Sequence, residues 1–377
     1  MSAIAKPTIS RREFIGATCA ACAAAAGYRA WAEPAAPRPG APSHEALFYE
    51  TLADKSVRCG ICPRHCVVPD GQRGYCRVRE NRGGRYSTLA YGQCCTANMD
   101  PIEKKPFFHV YPGSKAFSIA TVGCNIHCKF CQNWDISQAS PETTPVPYRS
   151  PAEIAEAAHA AGAKAIAYTY SEPTVFYEYM ADCARAGRER GLESIVVSNG
   201  FIAEAPQKAL FPLVKAIKID LKAFTQSFYG DVCDGLLEPV LASLKRLADS
   251  GVWFEIVCLT IPTLNDGQDE TRRMADWIVK ELGPNVPVHF SRYHPMYRLK
   301  NLPPTPPETI LKARSIAMEA GCHFAYTGNV PGLEGQDTLC PSCKKPVVRR
   351  YGNQIVENTL KAGACGACGT RIPGIWG

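Results

Sequence analysis

Cysteines carry the first chemical message of this sequence. Residues 121–134, TVGCNIHCKFCQNW, place Cys124, Cys128 and Cys131 in a C-x3-C-x2-C triplet directly after the apolar run Phe117–Val122. Three thiolates can hold three irons of a 4Fe-4S cluster and leave the fourth iron without a protein ligand. An open metal position is where an outside molecule binds and reacts. The triplet also closes a predicted strand, and strand C-terminal ends are where barrel enzymes carry their chemistry. A zinc knuckle, or three unrelated buried cysteines, are the plainer readings of the same residues.

Eight further cysteines fall into two groups, out of 19 in 377 residues. Cys59, Cys62, Cys66 and Cys76 read C-x2-C-x3-C-x9-C, with Gly71 and Gly74 allowing the turns that bring back the fourth thiol. Such a set suits zinc or an iron–sulfur cluster equally, His65 could replace one sulfur, and inert buried thiols are the alternative. CPSC (340–343) and CGAC (365–368) place Cys340, Cys343, Cys365 and Cys368 as two knuckles of a zinc ribbon. A closed four-sulfur site implies a structural role, with a rubredoxin-like iron as the minor alternative. Disulfides in a secreted domain would not need repeated C-x2-C spacing. Cys94 and Cys95 are adjacent, so they are unsuited to one ion and read as core or incidental.

The elements that position these groups alternate. FSIATV (117–122), AIAYTY (165–170), SIVVSN (194–199), AIKIDLK (216–222), VWFEIVCLTI (252–261), VPVHFSRY (286–293) and HFAYTG (323–328) are short and β-branched or aromatic-rich, as strands buried on both faces should be. Amphipathic helical segments lie between them. Ser150-Pro151-Ala152-Glu153 predicts a capping box with Pro at the first helical position, and Gly162 stops that helix. Repeated βα units predict a parallel barrel or a doubly wound sheet, and periodicity does not choose between them. The net charge of +7 is scattered without a dense Lys/Arg block, so nucleic acid is not indicated as a partner.

Residues 1–32 read as a targeting segment. Ser10-Arg11-Arg12-Glu13-Phe14-Ile15 matches a twin-arginine signal, an Ala-rich run reaches Ala26, and Ala30-Trp31-Ala32 offers a cleavage site. The apolar run is short for a membrane span, so no transmembrane segment is expected in the mature chain. The expected organisation is this signal over 1–32, a linker over 33–54 with Pro-rich 33–43, a Cys-rich unit over 55–112, an α/β core over 113–332 and a ribbon-like unit over 333–377.

The triplet is the radical S-adenosylmethionine (SAM) signature, and the core resembles that of the glycyl-radical-enzyme activases, the pyruvate formate-lyase-activating-enzyme group. The longer pattern of CGICPRHC (59–66), DPIEKKP (100–106), GCNIHCKFCQN (123–133) and SNG (198–200) resembles the radical SAM member of the AmmeMemoRadiSam system, from about residue 55 onward. The resemblance implies an α/β fold with a partial (β/α)6 TIM-like barrel, open on one side. It implies a 4Fe-4S cluster that reductively cleaves SAM, with hydrogen abstraction from a substrate such as a protein glycine. A small molecule or nucleotide as substrate, and a non-catalytic metal-binding scaffold, are the rival readings. A one-electron donor such as flavodoxin or ferredoxin and Memo-type and AMMECR-type proteins are the implied partners. Export through a twin-arginine signal and a chemistry suited to the cytoplasm pull in opposite directions.

The same resemblance assigns roles to single residues. Phe130 is expected to pack on the adenine. Ser171 and Glu172 stand in Tyr-Ser-Glu-Pro where many relatives have Gly-Gly-Glu-Pro, with Glu172 accepting from the SAM ammonium; the missing glycines put main-chain contacts there in doubt. Ser198 and Asn199 are expected at the ribose or carboxylate, and Asp220 and Lys222 around SAM or the substrate. DPIEKKPFFHVYPG (100–113) reads by default as a solvated loop, whereas the resemblance sets Glu103, Lys104, Lys105 and His109 at the mouth of the site. His289, Arg292, Tyr293, His294 and Asn329 are further candidates, with core roles as their alternative.

Overall fold

The protein is described here by a computed structural model that covers residues 44–330 and 332–377. The twin-arginine-like segment and the stretch 33–43 lie outside the described residues. One sheet dominates. Its strands are β1 (Thr96–Pro101), β2 (Lys115–Ala120), β3 (Ala165–Tyr168), β4 (Glu193–Ser198), β5 (Ala216–Asp220), β6 (Trp253–Thr260), β7 (Val288–Arg292) and β8 (Ala325–Gly328), each beside the next in chain order. From β2 to β8 every pairing is parallel, and β1 joins β2 antiparallel. A doubly wound sheet reverses its order at a switch point, and this one does not. β1 and β8 end the row with one neighbour each.

The six crossovers between parallel strands carry α1 (Pro151–Ala160), α2 (Tyr177–Arg188), α3 (Glu204–Leu210), α4 (Leu237–Ala248), α5 (Gln268–Glu281) and α6 (Pro307–Glu319). α1 starts on the expected capping box: Ser150 Oγ accepts from the Glu153 N–H at 3.3 Å, and Glu153 accepts from the Ser150 N–H at 2.7 Å. Ile154 and Ala158 bury one face of it, and Gly162 at φ +69° ends it. All four residues of β3 are buried, which is why these strands read as continuous apolar runs.

Two expectations fail at the N-terminal side. The linker expected to reach residue 54 is ordered from His44: His44–Glu45 pairs with Arg85–Thr88, and Tyr49–Thr51 pairs with Val57–Cys59. Ala46 and Phe48 explain it, because Ala46 is buried and Phe48 sets its ring edge-on to Tyr177 of α2. The second failure is the solvated loop over 100–113. Residues up to Pro101 belong to β1, and Asp100, Glu103, Lys105 and His109 are all buried.

Phe107–His109 instead cross under the N-terminal ends of the strands. The Glu255 carboxylate of β6 accepts the N–H groups of Phe108 and His109 and is bonded to His289 Nε2 at 2.7 Å. From outside, Arg350 of the ribbon reaches the Phe108 carbonyl at 2.6 Å and lies 4.2 Å from the centroid of its ring. The ribbon itself is a three-stranded antiparallel sheet of Thr338–Leu339, Pro346–Tyr351 and Gln354–Asn358. Among the described residues no helix is long and apolar enough to cross a membrane.

Candidate active site

The chemistry-bearing residues converge because each follows the C-terminal end of a strand. Cys124, Cys128 and Cys131 lie after β2, Ser171 and Glu172 after β3, Ser198 and Asn199 end or follow β4, and Asp220 and Lys222 do so at β5. All of them, with Phe130, line one cavity of about 500 Å³, a size ordinary for a small-molecule site. Lys104, Lys105, Lys218, Ser291 and Asn329 also line it. A second cavity shares Lys104, Pro106, Gln132, Ser291 and Asn329 with it and continues past His289 and His294 to Gly352 and Asn353 of the ribbon.

The cluster loop is held from several sides. His127 N–H and Lys129 N–H donate to the carbonyls of Cys233 and Val232 at 2.8 and 2.9 Å. Asn199 Nδ2 donates to Asn125 Oδ1 at 2.8 Å and stands 3.8 Å from Cys124 Sγ, while its Oδ1 accepts the Phe201 N–H. Asn199 therefore orients the loop of the triplet while also lining the cavity. Cys131 Sγ lies 3.2 Å from Ser137 Oγ. Burial pushes the Cys124 and Cys131 thiols up, whereas the Cys233 thiol, with Lys222 beside it, brings Cys128 down. Nothing in the sequence singled out Cys233; only the fold sets it behind Cys128.

Glu172 is held by four hydrogen bonds. Its Oε1 accepts from Thr174 N, Thr174 Oγ1 and Ser198 Oγ at 3.0, 2.7 and 2.8 Å, and Oε2 accepts from Asn199 N at 2.8 Å. Burial pushes its carboxyl pKa up against those bonds. One lone pair remains on Oε2 for an incoming donor. Ser171 Oγ donates to the Thr121 carbonyl at 2.6 Å and so faces the cavity as an acceptor. Tyr170 fills the place of a glycine with φ +66°, a costly torsion for a bulky residue. Its phenol donates to Asp100 at 2.5 Å and Lys105 Nζ sits 4.2 Å from its ring centroid, which holds it there.

Asp220 and Lys222 pair with each other at 3.1 Å, and Lys222 Nζ lies 5.8 Å from the Phe130 ring centroid. Phe130 is buried against Phe228. Burial lowers Lys105 to about 8 and Lys218 to about 7; Lys218 Nζ has the Pro106 carbonyl at 3.2 Å. Asp100, by contrast, is kept well below the usual carboxylate range, since the bonds from Lys105 and Tyr170 outweigh its burial.

Other candidates fall elsewhere. Glu103 lines the second cavity and accepts the Gly113 N–H at 2.7 Å. His109 is at the opposite end of the strands from the triplet, bonded to the Pro373 carbonyl and Tyr326 Oη, both at 2.6 Å. Arg292 donates to the Thr305 carbonyl and Tyr293 to that of Leu299, both serving the loop after β7.

Sulfur spacing sets one of the three cysteine groups apart. Among the described residues, Cys340, Cys343, Cys365 and Cys368 alone bring three or more ligand atoms of His, Cys, Asp or Glu all within 4.8 Å of one another. Their pairs stand at 3.5 Å (Cys340–Cys368) and 3.7 Å (Cys343–Cys365). Tetrahedral Zn–S bonds of ~2.3 Å put sulfurs about 3.8 Å apart, so the ribbon fits a single ion. The triplet is spread wider and opens on a cavity, which fits an iron–sulfur cube whose thiolates each cap a different iron.

Residues 118–278 match the family model of the radical SAM superfamily. The uncharacterized protein MJ0808 of Methanocaldococcus jannaschii is 44% identical over 330 residues, spanning 87% of this chain and 98% of that protein. Among solved structures, a domain of pyruvate-formate lyase-activating enzyme from Bacteroides vulgatus is similar at TM-score 0.40 and 17% identity, over 44% of this chain and 99% of its own. Streptococcus suis SuiB bound to precursor peptide SuiA is similar at TM-score 0.47 and 12% identity, over 62% and 52%.

Proposed function

We propose, for a chain that belongs to the radical SAM superfamily and to one family with the MJ0808 protein, that it reductively cleaves SAM and abstracts hydrogen from a substrate. The observation that carries the reading is one cavity shared by Cys124, Cys128 and Cys131 with Glu172, Asp220, Lys222 and Phe130. When bound and reduced, the cluster would supply one electron to the sulfonium of SAM, whose carbon–sulfur bond would break to give methionine and a 5′-deoxyadenosyl radical.

The protein's residues bind, orient and exclude water. Glu172 Oε2 accepts from the ammonium of SAM, with Ser171 Oγ as a second acceptor beside it. Because four donors of the chain already fix the Glu172 carboxylate, it needs no reorganisation when a ligand arrives. Phe130 supplies an apolar face for the adenine, and Lys222 Nζ offers a cation to a carboxylate or ribose hydroxyl. Asn199 places Cys124 and tunes the cluster by its N–H beside the sulfur.

The substrate favoured by the activase resemblance is a protein glycine, within a system that includes Memo-type and AMMECR-type proteins and a flavodoxin or ferredoxin donor. A second reading is a small molecule or nucleotide, which Lys104, Lys105 and Lys218 in the wall of the same cavity could meet. In the ribbon, zinc is the proposed ion. Anaerobic reconstitution with iron and sulfide, then reductant and SAM, should yield 5′-deoxyadenosine, and Cys124→Ala, Cys128→Ala or Cys131→Ala should reduce it to background. Cleavage that persists in those variants would remove the triplet from the chemistry. Deuterium entering 5′-deoxyadenosine from labelled partner protein, and not from a metabolite extract, selects the glycine substrate.

A further inference from the structure

Outside the cavity, four more thiols gather where the small N-terminal sheets meet the loop after β2. Cys59, Cys62 and Cys76 are buried and Cys66 is half-buried. Their sulfurs do not draw in to the spacing of the ribbon, so they resemble the triplet and not a mononuclear zinc site. Beside them stand two fully buried residues with a polar atom that has no hydrogen-bond partner, Arg79 at Nε and Tyr86 at Oη. Arg79 Nη2 donates to both oxygens of Glu178, and the guanidinium charge acts on Cys59 and Cys76. A Cβ on Gly74 would lie 2.8 Å from Tyr86 Oη and 3.9 Å from Cys66 Sγ, so phenol and thiol face the same turn. Buried groups left without a partner are rare, and thiolate or sulfide acceptors would satisfy both donors. The guanidinium would also offset the negative charge that four thiolates bring.

We infer that Cys59, Cys62, Cys66 and Cys76 hold a second iron–sulfur cluster, which takes one electron from a low-potential ferredoxin- or flavodoxin-class protein and passes it to the cluster at the triplet. The site has an outer and an inner edge suited to this. His65 and Val67 are exposed on either side of Cys66. Inward, a Cβ on Gly123 would lie 3.0 Å from the Cys76 carbonyl oxygen and 2.8 Å from Val78 Cγ1, at φ +101°. Glycine there lets the Cys76 turn rest on the residue bonded to Cys124. Arg64, inside the first cysteine loop, donates to the Asn125 carbonyl at 2.6 Å. One electron enters as the donor is oxidised and one leaves to the inner cluster, so the outer site returns to its starting state with no bond made or broken. The relay rests on the function proposed above, whereas the site does not.

The triple variant Cys124→Ala/Cys128→Ala/Cys131→Ala isolates the outer site and leaves its residues untouched. Reconstituted anaerobically, it should keep about four irons and four sulfides per chain against about eight in the wild type, with no more than one zinc. Mixing it with reduced ferredoxin or flavodoxin should produce an electron paramagnetic resonance signal from the outer cluster. No iron with a second zinc overturns the site. Iron that stays silent on mixing overturns the relay. A wild type with eight irons that fails to cleave SAM would refute the function of the inner site and leave the outer one standing.

Discussion

The ribbon and the triplet are built from the same side chain and do opposite things with it. In the ribbon, four sulfurs close on one another at 3.5 and 3.7 Å, leaving no coordination position for an outside molecule. Three sulfurs of the triplet stand further apart and look into a cavity of about 500 Å³. The ribbon's ligands come from knuckles on a small sheet, and the exposed Cys368 thiol is pushed down to about 6, first by the Thr370 hydroxyl. The triplet's come from one loop pinned by neighbouring strand ends, and burial holds two of its three thiols up. Closure yields rigidity; openness yields reactivity, and needs the rest of the sheet to hold it in place.

The largest expected effect exchanges the two. Cys365→Ala should cost the ribbon several kcal/mol, on the order of what a structural metal supplies to a small domain, while the visible absorbance of the iron–sulfur centre persists. Hydrogen exchange over residues 338–376 and the spectrum after reconstitution measure both halves. If Cys365→Ala erases the absorbance and Cys128→Ala spares it, the two assignments are reversed.

A smaller effect tests how the open site is tuned. Asn199→Ala removes the N–H beside Cys124 and the bond to Asn125, so the cluster potential should fall and SAM cleavage slow by about 10–100-fold, the usual loss for a residue behind a metal ligand. Spectroelectrochemistry separates tuning from mere unfolding, because an intact spectrum with an unshifted midpoint would refute it.

The smallest concerns a cation that only the cavity buries; Lys344 and Lys345 beside the ribbon are exposed. Lys218 is lowered by burial to about 7 from an ordinary 10.5, so between those values the unfolded chain binds more protons than the folded one. Stability from this group therefore rises with pH across that window. The melting temperature of the wild type relative to Lys218→Met should climb between about pH 7 and about pH 10. A flat difference would mean that Lys218 stays charged in the fold.

Much of the open site was legible in the sequence, for a physical reason. Strands buried on both faces read as apolar runs, and the residues that line the cavity sit where those runs stop, as at Ser198 and Asp220. The capping box of α1 is local chemistry and needed no fold to find it. What stayed hidden depends on distant contacts. Cys233 lies about a hundred residues beyond Cys128 and meets it only through backbone pairing of two loops. Segment 100–113 reads as solvated because its charges have partners the sequence does not name: Tyr170 and Lys105 for Asp100, Gly113 for Glu103. The motif points His109 to the mouth, whereas packing against Pro373 and Tyr326 sets it at the far end. Asn199 stands in the cavity wall as its motif places it, and its bond to Asn125 is a contact the sequence does not name.

Tyr170 leaves a mark on how this chain can vary. Glycine there would relax the backbone but surrender the phenol that engages Asp100 and the ring that faces Lys105. Phenylalanine would keep the ring and the torsion while releasing Asp100 from one of its donors. Change at any one of the three positions exposes a mismatch at the other two, so substitution should proceed through linked exchanges, with Tyr170, Asp100 and Lys105 inherited as one character.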